Sequence, residues 1–191
     1  MMIMLENKVR CGWVSADPIY ISYHDEEWGV PVHSDQKHFE FLTLESAQAG
    51  LSWLTILRRR EGYRRVFHQF NALRVSKMSE KEIEQALSNP GIIRNRLKVN
   101  SAVRNAQVFL EIQREFGSFD KYIWGFVNNK PVENHPKSLL DVPATNELSD
   151  KVSKDLKARG MKFVGSTIIY AHLQATGIIN DHVADCFRAS V

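Results

Sequence analysis

The sequence has little with which to cross-link itself, cross a membrane or join separate domains. It holds two cysteines among 191 residues, Cys11 and Cys186, at opposite ends. Two thiols do not build a disulfide scaffold. No apolar run approaches the roughly 20 residues that a membrane-spanning helix requires, so no membrane association is expected. The opening MMIMLENKVR is too short and too polar for a secretory signal, and the cytoplasm is the expected compartment. There is no low-complexity linker and no internal repeat. Neither sign of charge dominates: the net charge is +3, a mild bias toward polyanions that many proteins without nucleic-acid partners share. Strand-like alternation is scarce, which argues against sandwiches and barrels.

Helix signals are what the chain has in quantity, and an all-α fold is expected. A chain of this length buries roughly 70% of its unfolded surface, so it needs no staple merely to fold. Asp17-Pro18 reads as a helix start, a capping carboxylate followed by the residue suited to a first turn, and the helix is expected to run to Trp28. Gly29 and Pro31 end it. A second helix is expected from Asp35 to Ala49, with Gly50 as its stop, and a third starts near Ser52. Ser79 and Glu82 fit a capping box ahead of a helix ending near Leu87. A long helix follows over Arg94 to Glu115, with Leu97, Val103, Ala106, Phe109 and Leu110 as its apolar stripe. Ser118 to Asn128 forms another. Lys130 to Thr145 reads as a loop, and helices follow at Glu147 to Ala158 and Ser166 to Ala175. The short connection between this last pair predicts a helical hairpin near 159–166.

Four constellations carry chemistry. Cys11 and His24 near one end, with His182-x-x-x-Cys186 near the other, offer two thiolates and two imidazoles. Residues at i and i+4 of a helix share a face, so His182 and Cys186 can reach one ion, and such a set suits structural Zn²⁺. Spacing alone favours two buried free thiols and two unrelated histidines over a metal site. Glu45 lies one turn from Phe41 and Leu42 and one turn from Ala49, a carboxylate against an apolar surface. An unpaired buried carboxylate is costly and so is usually partnered or functional, although the pattern by itself fits a surface acid better. Trp13, Tyr20, Tyr23, Trp28 and Trp53 lie in the first third of the chain and suit a pocket for a flat, electron-poor ring as well as they suit a core. The turn Arg159 to Gly165 opens a helix whose first amides, with Lys162, suit a phosphate. The run Arg58, Arg59, Arg60, Arg64 and Arg65 reads as a solvated face.

These residues fall inside long motifs. CGWVSADPIYISYHDEEWGVP (Cys11 to Pro31), LESAQAGLSWLTILRRRE (Leu44 to Glu61), GIIRNRLKV (Gly91 to Val99), KFVGSTIIY (Lys162 to Tyr170) and NDHVADC (Asn180 to Cys186) resemble, in order, the type I 3-methyladenine DNA glycosylases. The resemblance covers nearly everything from Cys11 onward. It implies a two-lobed helix-hairpin-helix glycosylase fold, with residues 1–10 a tail and 11–191 one domain. It also implies one structural Zn²⁺ held by Cys11, His24, His182 and Cys186, tying the two ends together. Glu45 matches the acid that contacts the extruded base. Trp53 matches the stacking aromatic, and Trp13, Tyr20, Tyr23 and Trp28 match the pocket and its walls. Gly50 and Leu51 match the loop that inserts where the base has left, while Lys162 and Gly165 belong to the hairpin on the DNA side. Asp181 stands near the catalytic Asp of the wider superfamily but beside a zinc ligand, and takes no role from the resemblance.

The implied activity is hydrolysis of the N-glycosidic bond of 3-methyladenine in alkylated double-stranded DNA, without strand cleavage, by a monomer. A non-catalytic DNA-binding module and a glycosylase for another damaged base remain as alternatives. A zinc hydrolase is disfavoured, because four protein ligands leave no open position.

Overall fold

The computed structural model describes residues 8–189. Most of the expected ten-residue tail therefore lies outside the described residues. In chain order the elements are α1 (Pro18–Glu26), α2 (Asp35–Gln48), α3 (Trp53–Leu57), α4 (Arg60–Val66), a 3₁₀ turn (His68–Phe70), α5 (Ala72–Val75), α6 (Glu80–Ser88), α7 (Arg96–Phe116), α8 (Phe119–Gly125), β1 (Val132–Glu133), a second 3₁₀ turn (Leu139–Asp141), α9 (Glu147–Ala158), α10 (Ser166–Ala175) and β2 (Ile179–Asn180).

The helix starts follow local chemistry. The Asp17 carboxylate accepts from the Ile19 amide at 2.9 Å. Ser79 and Glu82 form the reciprocal capping box ahead of α6. Asn95 caps α7 and Gly117, at φ +86°, ends it. α1 stops short of Trp28 because the chain turns to join another element: the Gly29 amide donates to the carbonyl of Gln174 in α10.

α2 runs through the middle of the molecule, buried from His38 to Ala47. It packs against α3, α7, α8 and α10, and α9 packs on α10. Phe39, Phe41, Leu42 and Leu44 of α2 meet a core completed by Phe109, Ile112, Phe119, Ile123, Leu156 and Leu173, all nearly or fully sealed from solvent. On α7 the buried row is Val99, Ala102, Ala106, Phe109 and Ile112, while Leu97 is 71% exposed. Leu97 does not belong to the stripe: at about 100° per residue it lies opposite Ala106.

Two further expectations need correction. The loop from Lys130 to Thr145 contains β1, which pairs in parallel with β2 through Val132 and Ile179. Two residues are too few for a periodic signal. His182 and Cys186 are not on a helix. The His182 amide donates to the Asn180 side chain, the Ala184 amide to the Pro136 carbonyl and the Cys186 amide to the Val183 carbonyl, so the amides that a helix would need are taken elsewhere.

α4 docks on the turn that precedes α7 through a contact without side chains. A Cβ at Gly62 would stand 2.1 Å from the Gly91 carbonyl oxygen. The Ile93 amide donates to the Tyr63 hydroxyl beside it. Gly62→Ala is therefore expected to destabilise the protein by about 2 kcal/mol or more through overpacking. Denaturant unfolding will read this as a lower midpoint at an unchanged slope.

Candidate active site and metal cluster

The five aromatics expected to form a pocket do so. Trp13, Tyr20, Tyr23, Trp28 and Trp53 line a cavity of about 290 Å³ together with Glu45. Tyr23 comes from α1, Glu45 from α2 and Trp53 from the first turn of α3. The Ser52 hydroxyl sets that turn by accepting from the Thr55 amide. The rings brace one another: Trp13 lies 5.1 Å from both Tyr20 and Trp28, and Tyr23 lies 5.5 Å from Trp53.

Glu45 is 4% exposed. Burial pushes its carboxyl up to about 8, with no ion pair or hydrogen bond to offset it. Burial likewise raises the Tyr23 phenol, and the Glu45 charge raises it further. The indole N–H of Trp53 is buried without an acceptor. The Glu45 carboxyl, which lines the cavity, is left unanswered by the protein, which is costly in an apolar interior. A flat heterocycle with an edge donor can answer it while stacking on the rings.

The sequence reading missed part of the lining. Gln48 faces the same cavity from one turn beyond Glu45, and Ala171 and Gln174 face it from α10. Gln48 was open to the i, i+3 argument; Leu139 and Val142, from an irregular segment, were not. Asp181 also reaches the lining, but its oxygens are engaged. They accept from Asn134 at 2.8 Å, from the Tyr170 hydroxyl at 2.6 Å and from Gln174 at 2.7 Å.

The arginine run is not a solvated face. Arg60 is buried, gives a bidentate pair to Glu27 at 2.7 and 2.8 Å and donates to Glu40 at 2.7 Å. Arg64 shares Glu40. Burial alone would raise the Glu27 carboxyl, but Arg60 and Lys37 outweigh it and hold that carboxyl at about 2. Arg58 and Arg65 are the exposed members, and Arg58 pairs with Asp17.

The four expected ligands also converge. Cys11, His24, His182 and Cys186 are buried, with donor atoms within 4.8 Å of one another, and this cluster can hold a metal ion. Cys186 Sγ stands 3.4 Å from His24 Nε2 and 3.5 Å from His182 Nδ1, and Cys11 Sγ stands 3.5 Å from His182 Nδ1. Zinc bonds of about 2.3 Å to sulfur and about 2.05 Å to nitrogen, at tetrahedral angles, place S and N about 3.6 Å apart. The outer ring nitrogens are engaged: His24 Nδ1 meets Asp25 at 2.8 Å, and His182 Nε2 meets the Trp28 carbonyl at 3.1 Å. Such partners fix which nitrogen faces a metal. Arg10 in turn donates to Asp25 at 2.6 Å, bringing the described end of the tail into the cluster's support.

The residues expected on the DNA side lie on the surface. Gly50 adopts φ +80° with open space around it, a backbone state that favours glycine. Leu51 next to it is 40% exposed. Lys162 is exposed in the 159–165 turn. Gly165 opens α10 with no side-chain cap.

The fold and the pocket define a helical protein with an aromatic cavity beside a buried acid, over a Cys₂His₂ cluster. The sequence model described as methyladenine glycosylase matches residues 13–189. The chain is 47% identical to DNA-3-methyladenine glycosylase 1 of Escherichia coli (strain K12) over 177 residues, 93% of this chain and 95% of that protein. It is 45% identical to the DNA-3-methyladenine glycosylase of Haemophilus influenzae over 177 residues, 93% of this chain and 96% of that one. A crystal structure of 3-methyladenine DNA glycosylase I superposes with a TM-score of 0.92 at 47% identity, covering 94% of this chain and 99% of that one. The 3-methyladenine DNA glycosylase I of Staphylococcus aureus, solved for its recognition of 3-methyladenine, superposes with a TM-score of 0.90 at 37% identity, covering 93% of this chain and 94% of that one. The chain belongs to the methyladenine glycosylase family.

The buried acid has a stability consequence. Its folded value near 8 lies above the ordinary 4.5, so the unfolded chain gives up this proton first as pH rises. The acid form therefore favours the fold below about pH 4.5, and this advantage is lost as pH rises toward 8. Relative to the native protein, Glu45→Gln is expected to be unchanged in stability at pH 4 and more stable by about 4 kcal/mol at pH 8. Chemical denaturation at both pH values tests this. A gap independent of pH would show that Glu45 is not shielded from water.

Proposed function

We propose that this protein is a base-excision repair glycosylase that hydrolyses the N-glycosidic bond of 3-methyladenine in alkylated double-stranded DNA, leaving an abasic site. The observation that carries the reading is the unpartnered Glu45 carboxyl in an aromatic cavity, within a chain of this family. A base stacked in a duplex is out of reach, so it must be flipped out at a cost of a few kcal/mol. Leu51, exposed beside the permissive Gly50, fills the gap and offsets part of that cost.

N3-methylation leaves the attached adenine cationic and already a good leaving group, so little general-acid help is needed. Glu45 faces the exocyclic amine edge. In the free protein its carboxyl is held protonated near neutral pH by burial, and an arriving cation favours release of that proton. The resulting carboxylate in a water-poor pocket stabilises the cationic substrate and accepts from its amine. Trp53 stacks on the ring, while Tyr23, Trp13, Tyr20 and Trp28 wall it. Water then attacks the sugar carbon as the bond to the base breaks; the bonding pair neutralises the base and one water proton is released. Among the described residues no lysine lines the cavity to form a Schiff base, consistent with hydrolysis without strand cleavage.

The same reading makes α9, the 159–165 turn and α10 the hairpin of a two-lobed helix-hairpin-helix fold. Lys162 and the amides after Gly165 face a backbone phosphate. The chain from Cys11 onward works as one unit and as a monomer. The metal is zinc, held by Cys11, His24, His182 and Cys186. With four protein ligands it stays outside the reaction and joins distant parts of the chain.

Chromatography of bases released from methylated DNA is expected to show 3-methyladenine. Glu45→Ala should slow its release about a hundredfold; release at the native rate would remove Glu45 from the mechanism. Elemental analysis should find one zinc per chain. Cys186→Ser should lose it and lower the Tm by more than about 5 °C. Protein purified without chelator and free of zinc would refute the clasp.

A further inference from the structure

Two surface elements have to meet DNA together if the chain is a glycosylase: the Gly50–Leu51 tip and the 159–165 turn. More than a hundred residues separate them in sequence, and α7 joins them. Lys98, in the first turn of α7, donates from Nζ to the Ala47 carbonyl at 2.8 Å and to the Ala49 carbonyl at 2.7 Å. These carbonyls belong to the C-terminal end of α2, where backbone acceptors lack partners within the helix and a cation is favoured. Two turns further on, and on the same side of α7, stands buried Asn105. Its Oδ1 accepts from the Lys162 amide at 2.7 Å, and its Nδ2 donates to the Lys162 carbonyl at 2.8 Å. α2 closes the triangle, because the Ser46 hydroxyl donates to the Phe163 carbonyl at 3.0 Å.

Every one of these ties ends on a main-chain group of the turn or of the end of α2 that leads into the tip. They fix where the backbone runs, which packing of mobile side chains does not. The tip needs this support, since around Gly50 the structure offers no neighbour within 4 Å of a built Cβ. Burial lowers the Lys98 ammonium below its ordinary value, and two of its three protons already point at carbonyls. This is a poor arrangement for a phosphate contact and a good one for a brace.

We infer that Lys98 and Asn105 are positioning residues that make α7 a splint, holding the inserting tip and the phosphate-gripping turn at one fixed separation. This rests on the glycosylase reading. Insertion of Leu51 at the vacated site then occurs in register with the grip on the backbone, and Glu45 and Gln48, on the same end of α2, are aimed with it. Neither residue touches the base. A displacement of about 1 Å in a positioned group costs up to about a hundredfold in rate.

The test uses Lys98→Met, which keeps the aliphatic stem without a donor, and Lys98→Arg, which keeps two donors. Asn105 is left intact because its loss strands buried amides. For native and variant proteins, kcat and KM are measured on methylated duplex DNA, and affinity for free 3-methyladenine is read by quenching of tryptophan fluorescence. The splint predicts that Lys98→Met lowers kcat about tenfold with KM changed less than about threefold. Free-base affinity stays native, and Lys98→Arg recovers most of the rate. A native kcat in Lys98→Met overturns it. So does a raised KM at unchanged kcat, which would make Lys98 a phosphate contact, or a parallel loss of free-base affinity, which would mean general unpacking. A native protein that releases no base overturns the glycosylase reading, and the splint with it.

Discussion

The burial of α2 is the constraint on which the rest of the structure depends. A helix sealed from solvent over ten residues has to answer each polar group it carries. Glu40 is met by Arg60 and Arg64, Thr43 by the Phe39 carbonyl at 2.8 Å and Ser46 by the Phe163 carbonyl. Glu45 is the carboxylate of this stretch left for something from outside. The ion-pair network of Glu27, Glu40, Arg60 and Lys37 thus does more than hold α1, α2 and α4 together. By pairing the other carboxylates it leaves one free acid facing the aromatic walls.

The pocket and the metal cluster share a wall. The Trp28 ring packs edge-on to the His182 ring at 4.5 Å, and its carbonyl meets His182 Nε2. Trp13 packs on His24 at 5.2 Å. Two of the five pocket aromatics therefore lean on two of the four candidate ligands. A metal there would act on the chemistry without touching it, by keeping Trp13 and Trp28 upright against the cavity.

Local signals were legible in the sequence, and pairings between distant segments were not. The bounds of α9 and α10, the Ser79–Glu82 box and the Asp17-Pro18 start are set by residues within one turn of each other. Arg60 was misjudged because its burial depends on Glu40 and Glu27, 20 and 33 positions away. His182 and Cys186 were placed on a helix because their spacing fits one, whereas a turn of different hydrogen bonding presents them equally well. For Glu45 the periodicity showed an acid against an apolar face, but not that every neighbour would decline to pair with it. The ordered motifs supplied the grouping of pocket and ligands, since they bring the outcome of a fold along with its residues.

The Cys₂His₂ cluster also imposes an order on assembly. Cys11 leaves the ribosome 171 positions before His182, its neighbour in the cluster. At roughly 5–20 residues per second this is an interval on the order of ten seconds or longer. Throughout it the Cys11 thiol is a soft ligand and a nucleophile without its set, and Trp28 lacks the ring it rests on. The support behind the pocket is complete only once His182 and Cys186 have been made, so a chain cut short before Cys186 carries the acid and the aromatics but not the full cluster behind them.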